Sequence, residues 1–475
     1  MQRQPSPPHS TTDTPKAQRI HPATLIALVT TLTGLYLLFI PPDALPGEQG
    51  RAAGLAIIAI GLWATARMPE HITALLFFLL AMLLGVAPSS VIFSGFASSA
   101  LWMVFAGLVI ALAFQSSGLS QRLARVIAHR LNGSYLKLIA GMLTIGLLLG
   151  FMMPSSMGRI VLLMPIVLGL AEHLGFAPGS NGRTGLVLAA SFGTFVPTFA
   201  ILPSNVPNMV LLGASESLFD ISPLYGEYLL LHFPVLGLLK SLLVVVLIAL
   251  QYPDEPGPIR RERDAAVPFS LPERKMSGLL LMALLLWFTD FLHHVSPAWI
   301  ALAAALFLLL PRVGLIDTRQ FNSGINYGPL FFVAGVLGLG ALIAHSGLGA
   351  RLAGHLISLL PLAPDHNLVN FLSLSLTATV TGILTTGPGV PAVLTPLADH
   401  IATSAGLPIK TVLMTQVVGF SIILFLYQSP PLMVAMQLSG EKLRPAMKML
   451  IQLALASVIL LLPLDYLWWR VLGWL

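Results

Sequence analysis

Pro203-Ser204-Asn205-Val206-Pro207-Asn208 lies inside a mainly apolar stretch, residues 184–213, that is long enough to cross a bilayer as helix. Proline lacks a backbone N–H and crowds the preceding turn, so Pro203 and Pro207 stop the helix there. In lipid, the peptide groups released by such a stop have no water to turn to. They are satisfied by neighbouring protein, by an ion or by trapped water. The stretch therefore reads as a broken membrane helix facing a protein interior.

Three more interruptions of this kind follow from the sequence: Pro154-Ser155-Ser156, Thr385-Thr386-Gly387-Pro388-Gly389 and Gln428-Ser429-Pro430-Pro431. They fall as two pairs, one pair in each half of the chain. A single proline commonly does no more than kink a membrane helix. Matched breaks in two halves are the sequence signature of a carrier's binding site.

Composition agrees. Of the residues, 56% are hydrophobic and 9% charged, with a mean hydropathy of +0.86, against about 25% charged in a soluble domain. There is no cysteine, which excludes disulfides, thiolate metal sites and a thiol nucleophile. The net charge of +6 resides in short loops between apolar segments, a pattern of membrane orientation rather than nucleic-acid binding.

The expected fold is an all-α polytopic membrane protein with about eleven transmembrane helices plus two re-entrant hairpins in two inverted-topology repeats. Residues 1–21 read as a disordered cytoplasmic tail that is not a signal peptide, and 22–51 as the first membrane helix with its outer loop. The first repeat covers 52–251, with a hairpin at 134–173 and a broken helix at 184–213. A cytoplasmic linker spans 252–276. The second repeat covers 277–475, with a hairpin at 367–405 and a broken helix at 410–437. Most of the 25 Lys and Arg fall on one side of this topology. That side is the cytoplasm by the positive-inside rule, with the N-terminus inside and the C-terminus outside a bacterial inner membrane.

The repeat is visible in the residues themselves. Phe105-Ala106-Gly107, Ser117-Gly118-Leu119 and Arg122-Leu123-Ala124 recur as Val333-Ala334-Gly335, Ser346-Gly347-Leu348 and Arg351-Leu352-Ala353. The first repeat contains an odd number of spans, so the second begins from the opposite face and the two hairpin tips approach one another. Helices starting at Ser155 and Thr386 would aim unpaired N–H groups at whatever lies between them, which favours an anion.

At these tips the chain resembles the divalent anion:sodium symporters of the ion transporter superfamily, which include dicarboxylate, citrate and sulfate carriers. In that family each hairpin tip carries Ser-Asn-Thr ahead of a proline in the second arm. Here Ser155-Ser156-Met157 precedes Pro165 and Thr386-Gly387-Pro388 precedes Pro396 at the same spacing. The family's Ser/Thr-Pro-Pro-Asn break is matched loosely by Ser204-Asn205-Val206-Pro207-Asn208 and Ser429-Pro430-Pro431-Leu432. The resemblance implies a secondary active transporter of small divalent or carboxylate anions working by alternating access, and a homodimer. It implies no enzymatic activity and no cofactor. Without the tip asparagine and threonine, the oxygens left for a coupling Na⁺ are those of Ser155, Ser156, Ser204, Thr386 and Ser429; H⁺ is the other candidate coupling ion.

The expected anion site has Ser155, Ser156 and Arg159 as one wall, Thr385, Thr386 and Gly387 as the other, and Ser204, Asn205, Asn208, Gln428 and Ser429 as its floor. Arg159 lies one turn beyond Ser155 on the same helix face, near the midplane, where a charge is costly and usually functional. It grips the anion in bidentate fashion or acts as a fixed cation where a mobile sodium would sit; the plainer alternative is that it pairs with a helix-end carbonyl or snorkels to the cytoplasm. Lys240 reads as snorkelling. Arg122, Arg125, His129 and Arg130 with Leu123, Val126 and Ile127 form an amphipathic surface segment. Asp290, His293 and His294 lack a convincing ligand set for a metal.

Other classes are open to test. A cation/proton antiporter or arsenite-type permease of the same superfamily is the nearest alternative, though the spans contain almost no Asp or Glu. An anion channel would share the repeats. A membrane enzyme lacks support, since neither His-Glu-x-x-His, Gly-x-Ser-x-Gly nor a Gly-rich phosphate loop is present.

Overall fold

The computed structural model describes residues 22–43, 45, 47–119, 122, 134–153, 155–256 and 268–475. The expected tail, the amphipathic segment 123–130, Pro154 and the middle of the linker lie outside the described residues. Every regular element described is helical. Among the described residues seven helices are long and apolar enough to cross a membrane: Ser99–Ser116, Tyr135–Met152, Ser156–His173, Tyr225–Gln251, Gly328–His345, Asn367–Leu384 and Leu443–Val471. Ala23–Phe39, Glu70–Leu83 and Pro297–Leu309 are shorter apolar helices. Leu250, Leu292 and Ile459 are 75%, 70% and 73% exposed, among many large apolar side chains on the outer surface, as lipid contact requires. The chain is a polytopic, all-helical membrane protein.

Two expected boundaries move. Helix Leu271–Phe288 begins inside the expected 252–276 linker, because Ser270 and Glu273 form a capping box that starts it on a polar turn. Helix Glu48–Thr65 likewise begins before residue 52.

Helices Tyr135–Met152 and Ser156–His173 form one hairpin. The other runs from Asn367–Leu384 through Gly389–Leu394 and Thr395–Leu397 to Ala398–Ala405. Each closes at its open end: the Tyr135 and Phe176 rings are 6.0 Å apart, and Asn370 Nδ2 donates to the Ala363 and Ala405 carbonyls at 2.8 and 3.0 Å. Beside the first hairpin lies Asn181–Phe195, followed by short turns and then Val206–Phe219; beside the second lies Ile409–Phe420, followed by Leu426–Gln428 and Pro430–Ser439. Glycine permits the close approach in both places. A Cβ on Gly193 would meet the Leu143 carbonyl oxygen at 2.6 Å, and one on Gly419 the Ser375 carbonyl oxygen at 2.5 Å.

The second halves cross over. Pro430–Ser439 packs on Ser156–His173, and Val206–Phe219 on Gly389–Leu394, so each repeat completes the other's hairpin. The last helix of each repeat carries a π-helical stretch, Phe233–Leu239 and Ser457–Leu461. Pro234 cannot donate to the Leu230 carbonyl one turn back. Trp468 Nε1, from the other repeat, donates to it at 3.0 Å instead.

Candidate functional site

The four breaks meet around a cavity of about 310 Å³. Its wall includes Ser155 and Ser156 from the first tip, Thr386 and Gly387 from the second, Asn205 from the first broken helix and Gln428 from the second. The other five expected residues, Arg159, Ser204, Asn208, Thr385 and Ser429, stand behind this wall. Met157, Pro207, Pro388, Pro430 and Pro431 come with the six.

Local chemistry builds the wall. Ser155 caps helix Ser156–His173, its hydroxyl accepting from the Gly158 N–H at 3.1 Å. Asn205 caps Val206–Phe219, with Oδ1 accepting from the Asn208 N–H at 3.1 Å. That bond fixes the orientation of the amide, and it leaves the buried Nδ2 without a protein partner. Gln428 Oε1 accepts from the Leu424 and Phe425 N–H groups at 3.0 Å each, and Nε2 donates to the Gly382 carbonyl at 3.0 Å, so this residue laces the second break to its hairpin. The second tip departs from expectation: the helix starts at Gly389, not Thr386, because the Gly389 N–H turns back to the Thr386 carbonyl at 3.0 Å.

The residues behind the wall hold its shape. Asn208 Nδ2 faces the Thr198, Phe199 and Ile201 carbonyls at 3.3, 3.2 and 3.0 Å, taking up acceptors that the broken helix releases. Ser204 Oγ donates to the Gly150 carbonyl. Thr385 Oγ1 donates to the Thr381 carbonyl at 2.7 Å. The Ser429 hydroxyl is buried and has no partner in the protein.

Arg159 requires a correction. It is fully buried and does not reach the cavity wall. Its Nε and Nη2 donate to the Thr194 carbonyl at 3.2 and 3.0 Å, Nη2 also to the Ser204 carbonyl at 3.1 Å and Ser156 Oγ at 2.8 Å, and Nη1 to the Met153 carbonyl. The guanidinium thus holds backbone carbonyls of the break and one wall residue, Ser156, rather than lining the cavity itself. Of the oxygens expected to hold sodium, Ser156 Oγ accepts from Arg159 and Ser204 Oγ donates to the Gly150 carbonyl. Lys240 does not snorkel either: its buried Nζ donates to the Ser421 carbonyl at 2.7 Å and lies 3.3 Å from Ser421 Oγ. Nor do Asp290 and its neighbours gather at one point. Asp290 takes the Tyr225 N–H and His293 bonds the Leu286 carbonyl.

No basic side chain lines the cavity among the described residues, and Glu70 is its only charged one. The N-termini of Ser156–His173, Val206–Phe219 and Pro430–Ser439 all abut it, and the positive ends of their dipoles face it. Glu70 and Asn326 escape a sequence reading, since Glu70 opens the helix Glu70–Leu83 and Asn326 precedes Gly328–His345, both far along the chain from every break. Phe195, Phe199 and Phe332 supply apolar wall.

A family model described as the citrate transporter, CitMHS, matches residues 60–419. The chain belongs to that family. It is therefore a multi-pass membrane transporter and not an enzyme. This family member is 24% identical over 478 residues to a protein of Cupriavidus necator described as a membrane protein, with 95% of this chain and 93% of that one covered. It is also 24% identical over 336 residues to the L-tartrate/succinate antiporter of Escherichia coli, with 66% of each chain covered. Among solved structures it is similar to the YdaH transporter of Alcanivorax borkumensis, with a TM-score of 0.50 at 17% identity, covering 94% of this chain and 99% of that one. This last likeness concerns the fold.

Proposed function

We propose that this transporter carries small di- and tricarboxylate anions by exchange, exposing the cavity between its four breaks alternately to the two sides of the membrane. The observation that carries this reading is the Asn205 side chain: a cap on one atom, and on the other a buried N–H donor without a protein partner, beside a cavity bordered by three helix N-termini. Such a donor costs free energy until an acceptor arrives. A carboxylate oxygen is the acceptor that also suits the dipoles. Membership of the citrate transporter family and the likeness to a tartrate/succinate antiporter support the same class of solute.

In this reading the hairpins are re-entrant and move with the broken helices as one transport unit, against a frame of outer helices held in a homodimer. Glu70 and Asn326 mark the cytoplasmic mouth, given the expected orientation in a bacterial inner membrane with the N-terminus inside, so the conformation described is inward-facing. Uptake of labelled succinate, L-tartrate and citrate into proteoliposomes tests the proposal, with sulfate as a competitor. Saturable uptake of at least one carboxylate is expected. Absence of flux for all three, under every gradient, would remove it.

A further inference from the structure

Arg159 and Lys240 occupy matching places in the two repeats. Asn181–Phe195 is the first half of one broken helix, and Arg159 takes the Thr194 carbonyl at its C-terminal end. Ile409–Phe420 is the first half of the other, and Lys240 takes the Ser421 carbonyl just past its C-terminal end. Arg159 reaches across from the hairpin tip of its own repeat. Lys240 reaches from the first repeat into the second. Both are buried, at 0% and 2% exposure, and neither lines the cavity.

These are the two places where a carrier with broken helices would hold its coupling cations. The C-terminal end of a half-helix carries partial negative charge, and its carbonyls have lost their intrahelical donors. Unwound carbonyls and half-helix C-termini are the usual ligands for Na⁺ in such folds. Here the Thr194, Ser204 and Ser421 carbonyls are already engaged by side chains with covalently tethered charge. An additional cation at either place would have to displace a committed donor and approach a like charge. Asp465, from the last helix, interacts electrostatically with Lys240 and shares its buried neighbourhood.

We infer that Arg159 and Lys240 are built-in, immobile replacements for coupling cations, so that carboxylate exchange in this protein does not use a sodium gradient. The inference rests on the proposed carboxylate function and goes beyond it by removing sodium as the coupling ion.

Two measurements on the wild-type protein test it. The first is exchange of labelled succinate for unlabelled succinate in proteoliposomes, with Na⁺ or choline as the only monovalent cation on both sides. A coupled cation alters substrate affinity by roughly 5–150-fold; the expected difference is below about fivefold, and a larger stimulation by Na⁺ overturns the inference. The second needs no transport: thermal unfolding of the detergent-solubilised protein in Na⁺ or choline at equal ionic strength. Equal midpoints are expected, and a Na⁺-specific rise overturns the inference. Loss of succinate flux in both salts with equal unfolding midpoints would count against the carboxylate reading and leave the absence of a Na⁺ site standing. In Arg159→Ala the emptied carbonyl cage should gain a cation response that wild type lacks, seen as a rise in midpoint on adding methylguanidinium.

Discussion

Two hydrogen bonds join the Arg159 guanidinium to the Thr194 carbonyl, from Nε at 3.2 Å and Nη2 at 3.0 Å. They tie the tip of the first hairpin to the end of the first half-helix. With the Ser204 and Met153 carbonyls on the same guanidinium, three separate backbone segments share one cation. Arg159→Lys keeps the charge but replaces a planar fork by a compact ammonium with fewer directions of donation. It is expected to lower stability by about 2–4 kcal/mol, since it strands buried carbonyls, measured as an unfolding midpoint in detergent. A midpoint equal to that of wild type would show that the fork is not needed.

Asn205 separates cap from ligand. Asn205→Asp retains an oxygen for the Asn208 N–H, so the helix start survives, but it replaces the buried, unpartnered Nδ2 donor by a second acceptor and adds negative charge. An anion's half-saturation concentration is expected to rise by about tenfold or more, since a hydrogen bond to a charged group contributes about 1.5–3 kcal/mol. The unfolding midpoint should change little. Unchanged half-saturation would remove Asn205 from the site.

Gly193 and Gly419 set how closely each broken helix lies against its hairpin. Gly193→Ala forces a Cβ to within 2.6 Å of the Leu143 carbonyl oxygen and 2.7 Å of its Cα. Overpacking against rigid backbone is expected to cost about 1–3 kcal/mol, and Gly419→Ala should behave similarly. Gly169, where a Cβ would meet nothing within 4 Å, is the control: Gly169→Ala should not destabilise the protein.

The polar first turn of Leu271–Phe288 provides a pH test. Arg122 lies 2.8 Å from Glu273, and this bond, with the Ser270 N–H, holds the Glu273 carboxyl down at about 2. A carboxyl whose pKa is depressed on folding stabilises the fold above its unfolded value, near 4.5, and loses that contribution as pH falls toward the folded value. The midpoint difference between wild type and Glu273→Gln should therefore be full at pH 7 and shrink steadily below about pH 4.5. A difference that is constant from pH 7 to pH 3 would contradict the assignment.

What the sequence made legible follows the chemistry of its breaks. Proline and glycine act locally, so Pro203, Pro207, Gly387 and Pro430 mark irregular backbone without tertiary information, and six of eleven expected residues stand on one cavity wall. Arg159 was recognisable as a charge out of place, but its partners are backbone carbonyls, which leave no trace in side-chain identity. Lys240 carried still less signal: its stem suits snorkelling equally well, and only the packing of Tyr225–Gln251 against the second repeat brings it to Ser421. Glu70 and Asn326 look like ordinary polar residues at helix starts until the fold sets them on the cavity wall.

The central claim is that a carboxylate anion exchanges through the cavity between the four breaks. Counterflow tests it most directly: proteoliposomes loaded with unlabelled succinate, or left empty, are presented with labelled succinate, using wild type and Asn205→Asp. The account predicts rapid labelled entry into loaded vesicles, little into empty ones, and a marked loss of the loaded signal in Asn205→Asp. Labelled entry that is equal in loaded and empty vesicles, or unaffected by Asn205→Asp, would contradict it.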